Sequence, residues 1–190
     1  MYAQNKWQIK DPNGIIYPWY THPFLHILEK WDLENMTWLE FGAGYSTIWL
    51  RSRCKYVDSI ETDKEWIISV EEECQKNNFE NGKIHDLESW DTSEEYLDAV
   101  PKNITYDIIT VDGIWRDECM IWSLNHLRRN GGILIADNWQ QDYVWVNQAT
   151  EILMNSYKIN SFIQPNHRNH MGKPWQTAYW EIDKKIKKLV

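Results

Sequence analysis

The sequence predicts an α/β protein. It reads as a doubly wound, mostly parallel sheet of seven strands with helices on both faces and an antiparallel last strand. Three observations carry this. Short apolar runs alternate with helix-like segments along most of the chain. Several of the runs are nearly continuous in apolar residues, as strands buried on both faces are. The last two runs follow one another with no helix between them, so they pair antiparallel at the end of the sheet.

The elements follow in order. "YPWYTHPFLHILEKW" (17–31) reads as a helix entered through Pro18 and Pro23. "TWLEFG" (37–42) is the first strand, and "STIWLRSR" (46–53) is a helix that Ser46 or Thr47 can cap. "YVDSIE" (56–61) is the second strand; Thr62 and Glu65 form a T-x-x-E capping box opening a helix to Lys76. "KIHDL" (83–87) is the third strand and the weakest. Residues 88–104 are acidic and loop-like, with a short helix at "SEEYLDAV". "YDIITVD" (106–112) is the fourth strand, and "WRDECMIWSLNHLRR" (115–129) is a helix closed by Asn130–Gly131 as a left-handed cap. "GILIAD" (132–137) is the fifth strand, followed by a helix over 143–156. "YKINSFI" (157–163) and "QTAYWEI" (176–182) are the last two strands, around a polar loop. The 190 residues fit one domain: a lead-in or lid (1–36), a core (37–183) and a basic tail (184–190).

Composition narrows the function. The formal net charge is −8, and 14 of the 28 acids lie between Asp58 and Asp98, where there are three Lys and no Arg. Such a surface repels phosphate backbones, so nucleic acid is a disfavoured partner. The closing "DKKIKKLV" reads as a solvated tail. Cys54, Cys74 and Cys119 match no zinc spacing and read as reduced structural thiols. No signal peptide or membrane-length apolar run is present, so the expected location is cytoplasmic, with no membrane partner. Thirteen Trp are spread along the chain. They serve core packing or an aromatic-walled pocket, and exposed ones would favour a homodimer.

In such sheets a ligand sits beyond the carboxyl ends of the strands, where strand order reverses. "GAGYST" follows the first strand. Gly42 and Gly44 allow a sharp turn and a close ligand, and the next helix aims its free N–H groups there. Tight strand-to-helix turns use glycine for purely structural reasons as well. Glu61 ends the second strand 19 residues after Gly42, where a carboxylate can accept both hydroxyls of a ribose. A carboxylate near a helix N-terminus is the plainer reading, since Asp63 and Glu65 stand there too. A nicotinamide fingerprint wants a third glycine, and Thr47 occupies its place.

"LEFGAGYST", "IETD", "YDIITVDG" and "GGILIADN" fall in the order and spacing of class I S-adenosylmethionine-dependent methyltransferases. The chain resembles that family over residues 17–183. The lead-in "YPWYTHP" is also similar to that of a bacterial-type subset of the family. The resemblance implies the Rossmann-like methyltransferase fold, with S-adenosylmethionine as cofactor. It places Glu40, Gly42, Gly44 and Ser46 at the methionine and ribose side and Glu61 on the ribose diol. Asp86, with Leu87 as apolar packing, would meet the adenine edge, with Glu88 as a competitor. Asp112 would face the methionine amine or the reaction centre.

A hydroxyl acceptor needs a base or a metal to remove its proton. Asp112, Asp137 and Asn138 end the fourth and fifth strands and offer hard oxygen ligands suited to Mg²⁺ or Ca²⁺. Catechol-type O-methyltransferases carry a similar set, whereas metal-free relatives use Asp-Asn to cap a loop. Candidate bases are His167 and His170 in "NHRNHMGKPW" and His22 in the lead-in, each alternatively a solvated histidine. His126 reads as a packing or surface residue, and His85 lies inside a strand. "DGIW" after the fourth strand, in place of a proline-aromatic motif, lowers amino-group methylation. Trp19, Tyr20, Trp139 and Trp175 are candidate walls for a small-molecule or glycan acceptor. Oxygen methylation is therefore expected. The alternatives are a non-catalytic cofactor- or partner-binding module of the same fold and a nicotinamide-dependent oxidoreductase.

Overall fold

A computed structural model describes residues 9–87, 89–128, 131–139, 147–168 and 174–182, with residues 147 and 165–168 as backbone only. The strands are β1 (Thr37–Phe41), β2 (Tyr56–Glu61), β3 (Gly82–Asp86), β4 (Ile108–Val111), β5 (Gly132–Asp137), β6 (Asn160–Arg168) and β7 (Pro174–Ile182). They form one seven-stranded sheet in the order β3-β2-β1-β4-β5-β7-β6. β1 to β5 are parallel, and β7 runs antiparallel between β5 and β6. The antiparallel strand therefore lies one in from the edge, and β6 is the edge strand. Chain order reverses between β1 and β4, which places the switch point there.

Side-chain alternation divides the strands between two cores. One face buries Trp38, Ile108 and Ile135 under α1 (His22–Leu28) and α2 (Tyr45–Arg51). The other buries Leu39, Phe41, Ile109, Val111 and Trp180 under α4 (Ser93–Asp98), α5 (Arg116–His126) and α6 (Asn147–Ser156). α3 (Lys64–Lys76) closes a smaller cluster with Ile48, Val70 and Ile84. Trp38, Trp49 and Trp180 are fully buried, so part of the tryptophan excess is core. Trp139 is also core: 4% exposed and edge-on to Trp180 at 4.8 Å, it corrects the expectation of a pocket wall.

Helix ends differ from the sequence reading in physical detail. α2 starts at Tyr45, and Thr47 reaches back to the Gly44 N–H (3.0 Å) instead of capping from in front. α3 is capped by Asp63, which accepts from Trp66 N at 3.0 Å, because the Thr62 N–H is already bonded to Glu61. The T-x-x-E pair at Thr62 and Glu65 is therefore not the cap; the capping box that forms is Thr92–Glu95 on α4. α1 begins at His22, past the predicted start, because Trp19 and Tyr20 form a bend and Thr21 has a non-helical ψ of 140°. α5 stops at His126, where Leu127 turns extended and bridges Tyr106. Gly131 has φ +104° but turns the chain into β5; Asn130 lies outside the described residues. Residues 143–146 and the tail 184–190 also lie outside them.

Candidate functional site

Gly42 turns the chain off β1 with φ +103°, a conformation that side chains with a Cβ rarely adopt. An added Cβ would also lie 3.1 Å from the backbone of Asp112 and Gly113. Gly42 thus lets the β1 and β4 loops touch at the switch point. Gly44 differs from the expectation: its backbone is extended, and an added Cβ would meet Trp66 at an ordinary 3.6 Å.

Glu61 stands at the tip of β2, facing this loop. Its Oε2 accepts from Ala43 N at 3.0 Å, and its Oε1 accepts from Thr62 N at 2.7 Å and Asp63 N at 3.0 Å. Three amides fix the carboxylate in place, and Oε2, with one amide partner, has acceptor capacity to spare. The Ala43 and Gly44 amides are both occupied from within, by Glu61 and Thr47. A pyrophosphate would need loop amides of this kind free.

Glu40 lies beneath the loop, 1% exposed, accepting from Thr47 Oγ1 at 2.7 Å and Ser59 Oγ at 3.1 Å. Burial pushes its carboxyl up to about 7, while the hydroxyls of Ser46, Thr47 and Ser59 pull the other way. Glu40 and Ser46 therefore brace the loop from below. Asp86 ends β3 half-exposed and pairs with Lys64 at 3.6 Å; Leu87 is buried. Glu88 lies outside the described residues.

Asp112, with its side chain 37% exposed, pairs with Arg116 at 3.0 Å. The same guanidinium donates to the carbonyls of Asp137 (2.5 Å), Asp112 (2.8 Å) and Gly113 (3.0 Å). Asp137 is buried and accepts from Thr177 Oγ1 at 2.5 Å. Its carboxyl is raised well above the usual range by burial, and the neighbouring Asp112 charge adds to this. Mg²⁺ does not fit here: Arg116 already supplies the positive charge between the two strand ends, and Asp137 is turned toward β7. Among the described residues no group of three His, Cys, Asp or Glu could hold a metal. Asn138 and Trp115 both have left-handed backbone, φ +51° and +50°, at this same edge. For a tryptophan that is strained.

The lead-in crosses this edge on the α1 side. Asp11 pairs with Arg53 on the turn after α2, Thr21 N donates to Thr177 Oγ1 (3.0 Å), and His22 N donates to Gln164 Oε1 (2.9 Å). Trp19, Tyr20 and Trp175 line one cavity of about 570 Å³, and His22, His26 and Glu29 line it too. Three of the four aromatic residues singled out in the sequence thus meet. His170 lies outside the described residues, and His167 falls on β6 with its side chain outside them. Sequence reading missed Arg116, His26 and Glu29. The signal for the last two was the spacing of His22, His26 and Glu29, which places them on one helix stripe.

No family model matches the chain, and the search of curated proteins found no match. Solved structures do match. The O-methyltransferase TomG from Streptomyces achromogenes, involved in tomaymycin synthesis and solved with SAM, is similar at 19% identity and TM-score 0.62, over 83% of this chain and 77% of that one. Precorrin 8W decarboxylase, the product of gene MT0146 of Methanobacterium thermoautotrophicum, is similar at 17% identity and TM-score 0.62, over 90% and 95%. An O-methyltransferase from Bacillus cereus in complex with SAH is similar at 16% identity and TM-score 0.59, over 76% and 73%. At these identities the likeness is one of fold. This chain has the Rossmann-like fold of class I S-adenosylmethionine-dependent methyltransferases.

Proposed function

We propose that the chain is an S-adenosylmethionine-dependent methyltransferase that acts on a hydroxyl oxygen of a small molecule or glycan. The observation that carries the reading is Glu61: a carboxylate fixed by three amides at the switch point, facing the Gly42 turn. Glu61 would hold the ribose diol of S-adenosylmethionine, and Asp112 would face its methionine amine. The internally bonded Ala43 and Gly44 amides favour a nucleoside without pyrophosphate over a nicotinamide dinucleotide. Two of the similar structures are O-methyltransferases, which supports oxygen as the acceptor atom.

The cofactor supplies an electrophilic methyl group. The chain's part is to align the acceptor and exclude water, which can lower a barrier by several kcal/mol, and to take a proton. His22 lines the cavity beside the loop, and a neutral imidazole there can accept the hydroxyl proton. No step is assigned to a metal, because Arg116 holds the Asp112–Asp137 edge. Among the described residues no helix is long and apolar enough to cross a membrane.

The test is Glu61→Ala. Loss of a charged hydrogen-bond pair should weaken S-adenosylhomocysteine binding by on the order of 2 kcal/mol, roughly 30-fold. An unchanged dissociation constant would mean that no ribose sits at the tip of β2.

A further inference from the structure

We propose that the 570 Å³ cavity between the lead-in and the β6–β7 hairpin is the methyl-acceptor site and takes a hydroxyl-rich six-membered ring, that is, a sugar. The assignment rests on the methyl-transfer reading for its chemistry and on the cavity's own residues for its ligand.

Position comes first. The Trp19 ring lies edge-on to Tyr45 at 5.5 Å, and Tyr45 directly follows Gly44. One wall of the cavity thus touches the start of the helix after the glycine loop. Tyr20, 4% exposed, lies between the cavity and the strand ends, with Glu40 and Asp112 among its charged neighbours. The Asp11–Arg53, Thr21–Thr177 and His22–Gln164 contacts fix the lead-in to α2, β7 and β6. The walls are therefore set before a ligand arrives, which lowers the ordering cost of binding. The volume is in the usual range for small-molecule sites.

The lining identifies the chemistry. Trp19 and Trp175 line it with indole rings, and Trp19 is 44% exposed. His22 and His26 on α1 and Glu29 at its C-cap line one side, and Gln164 joins them from the hairpin. Tyr17 O–H donates to Glu29 Oε1 at 2.5 Å, which orients the carboxylate; the same bond pushes the Tyr17 hydroxyl up to about 12. A sugar matches both halves: its C–H face packs on indole, and its hydroxyls bond imidazole, amide and carboxylate. A plain aromatic ring would strip water from these polar groups without replacing their bonds, at about 1–3 kcal/mol each. The described lining holds no Lys or Arg and does hold Glu29, which disfavours a phosphate. In the reaction the sugar hydroxyl oxygen bonds to the methyl carbon as the methyl–sulfur bond breaks. The electron pair stays on sulfur, leaving the thioether, and the hydroxyl proton passes to His22.

The test is saturation-transfer NMR on the full chain with S-adenosylhomocysteine present. The probes are methyl glucoside, methyl mannoside, methyl galactoside, maltotriose, catechol and choline. We expect transfer to the ring C–H protons of at least one glycoside, weakened about fivefold or more in Trp19→Ala and in the shape-preserving Glu29→Gln. Transfer to the monosaccharides alone would indicate a free sugar, and transfer to the terminal ring of the trisaccharide a glycan end; both support the assignment. Silence from every sugar, binding of catechol or choline alone, or sugar binding that ignores both substitutions would overturn it. Calorimetry with S-adenosylhomocysteine separates the two readings. A chain that binds it but no sugar refutes the acceptor site and leaves the methyltransferase reading; a chain that binds sugar but not the thioether refutes the methyltransferase reading, and with it the acceptor role, and leaves a sugar site.

Discussion

Both edges of the sheet hold a cavity of several hundred Å³. At the amino edge about 720 Å³ is lined by Trp31, Met36, Ile108, Ile133 and Ile182 around Asp107. That acid is fully engaged, paired with Arg128 at 2.5 Å and bonded by Thr37 N at 2.8 Å. The carboxyl edge is built differently. Trp115 is strained there by a positive φ, and the buried acids Glu40 and Asp137 are both pushed up. Volume therefore does not mark the site. Strain and held-up acids do, because a fold keeps them only where the surroundings enforce them.

The largest effect should come from Glu40→Gln. The folded carboxyl titrates near 7 against an ordinary 4.5, so the folded chain keeps a proton that the unfolded chain loses between those values. Wild-type stability from this group therefore falls as pH rises through 4.5–7, by about 3 kcal/mol. Glu40→Gln removes that fall, so urea unfolding should find the variant gaining on wild type from pH 5 to pH 8. Parallel stability profiles for the two chains would show that Glu40 is not buried as described.

Next is a contrast between two glycines. Gly42→Ala meets both a positive φ and a backbone contact at 3.1 Å, and should cost about 2–3 kcal/mol. Gly44→Ala meets neither and should cost below about 0.5 kcal/mol. Equal melting-temperature losses would remove the close approach of the β1 and β4 loops from the account. After that contrast comes Arg128→Ala at the amino edge. It breaks a half-exposed ion pair and should cost up to about 1 kcal/mol, with S-adenosylhomocysteine affinity unchanged. A drop in that affinity would mean that the two edges are coupled.

Much of the fold was legible because apolar runs mark buried strands: β5 has the bounds read from "GILIAD". Strand order was not legible, since local pattern does not encode which strands pair. The α3 cap went astray by one residue because Glu61 takes the Thr62 and Asp63 amides, and Asp63 then accepts from Trp66 N. Trp139 looked like a pocket wall because exposure cannot be read from one residue type. The metal expectation finds no support beside Arg116, whose reach to both strand ends is invisible until β4 and β5 are adjacent. Trp19, Tyr20 and Trp175 were legible as aromatics in segments outside the strand–helix core. Their convergence needed the lead-in to cross the sheet edge, a tertiary fact.

The central claim is that the Gly42–Glu61 cradle holds a nucleoside sulfonium and not a dinucleotide. Calorimetric titration with S-adenosylmethionine, S-adenosylhomocysteine and NAD, with and without Mg²⁺, tests it most directly. The account predicts saturable binding of the two sulfur compounds, no heat from NAD and no change with Mg²⁺. Binding of NAD, or silence from both sulfur compounds, would contradict it.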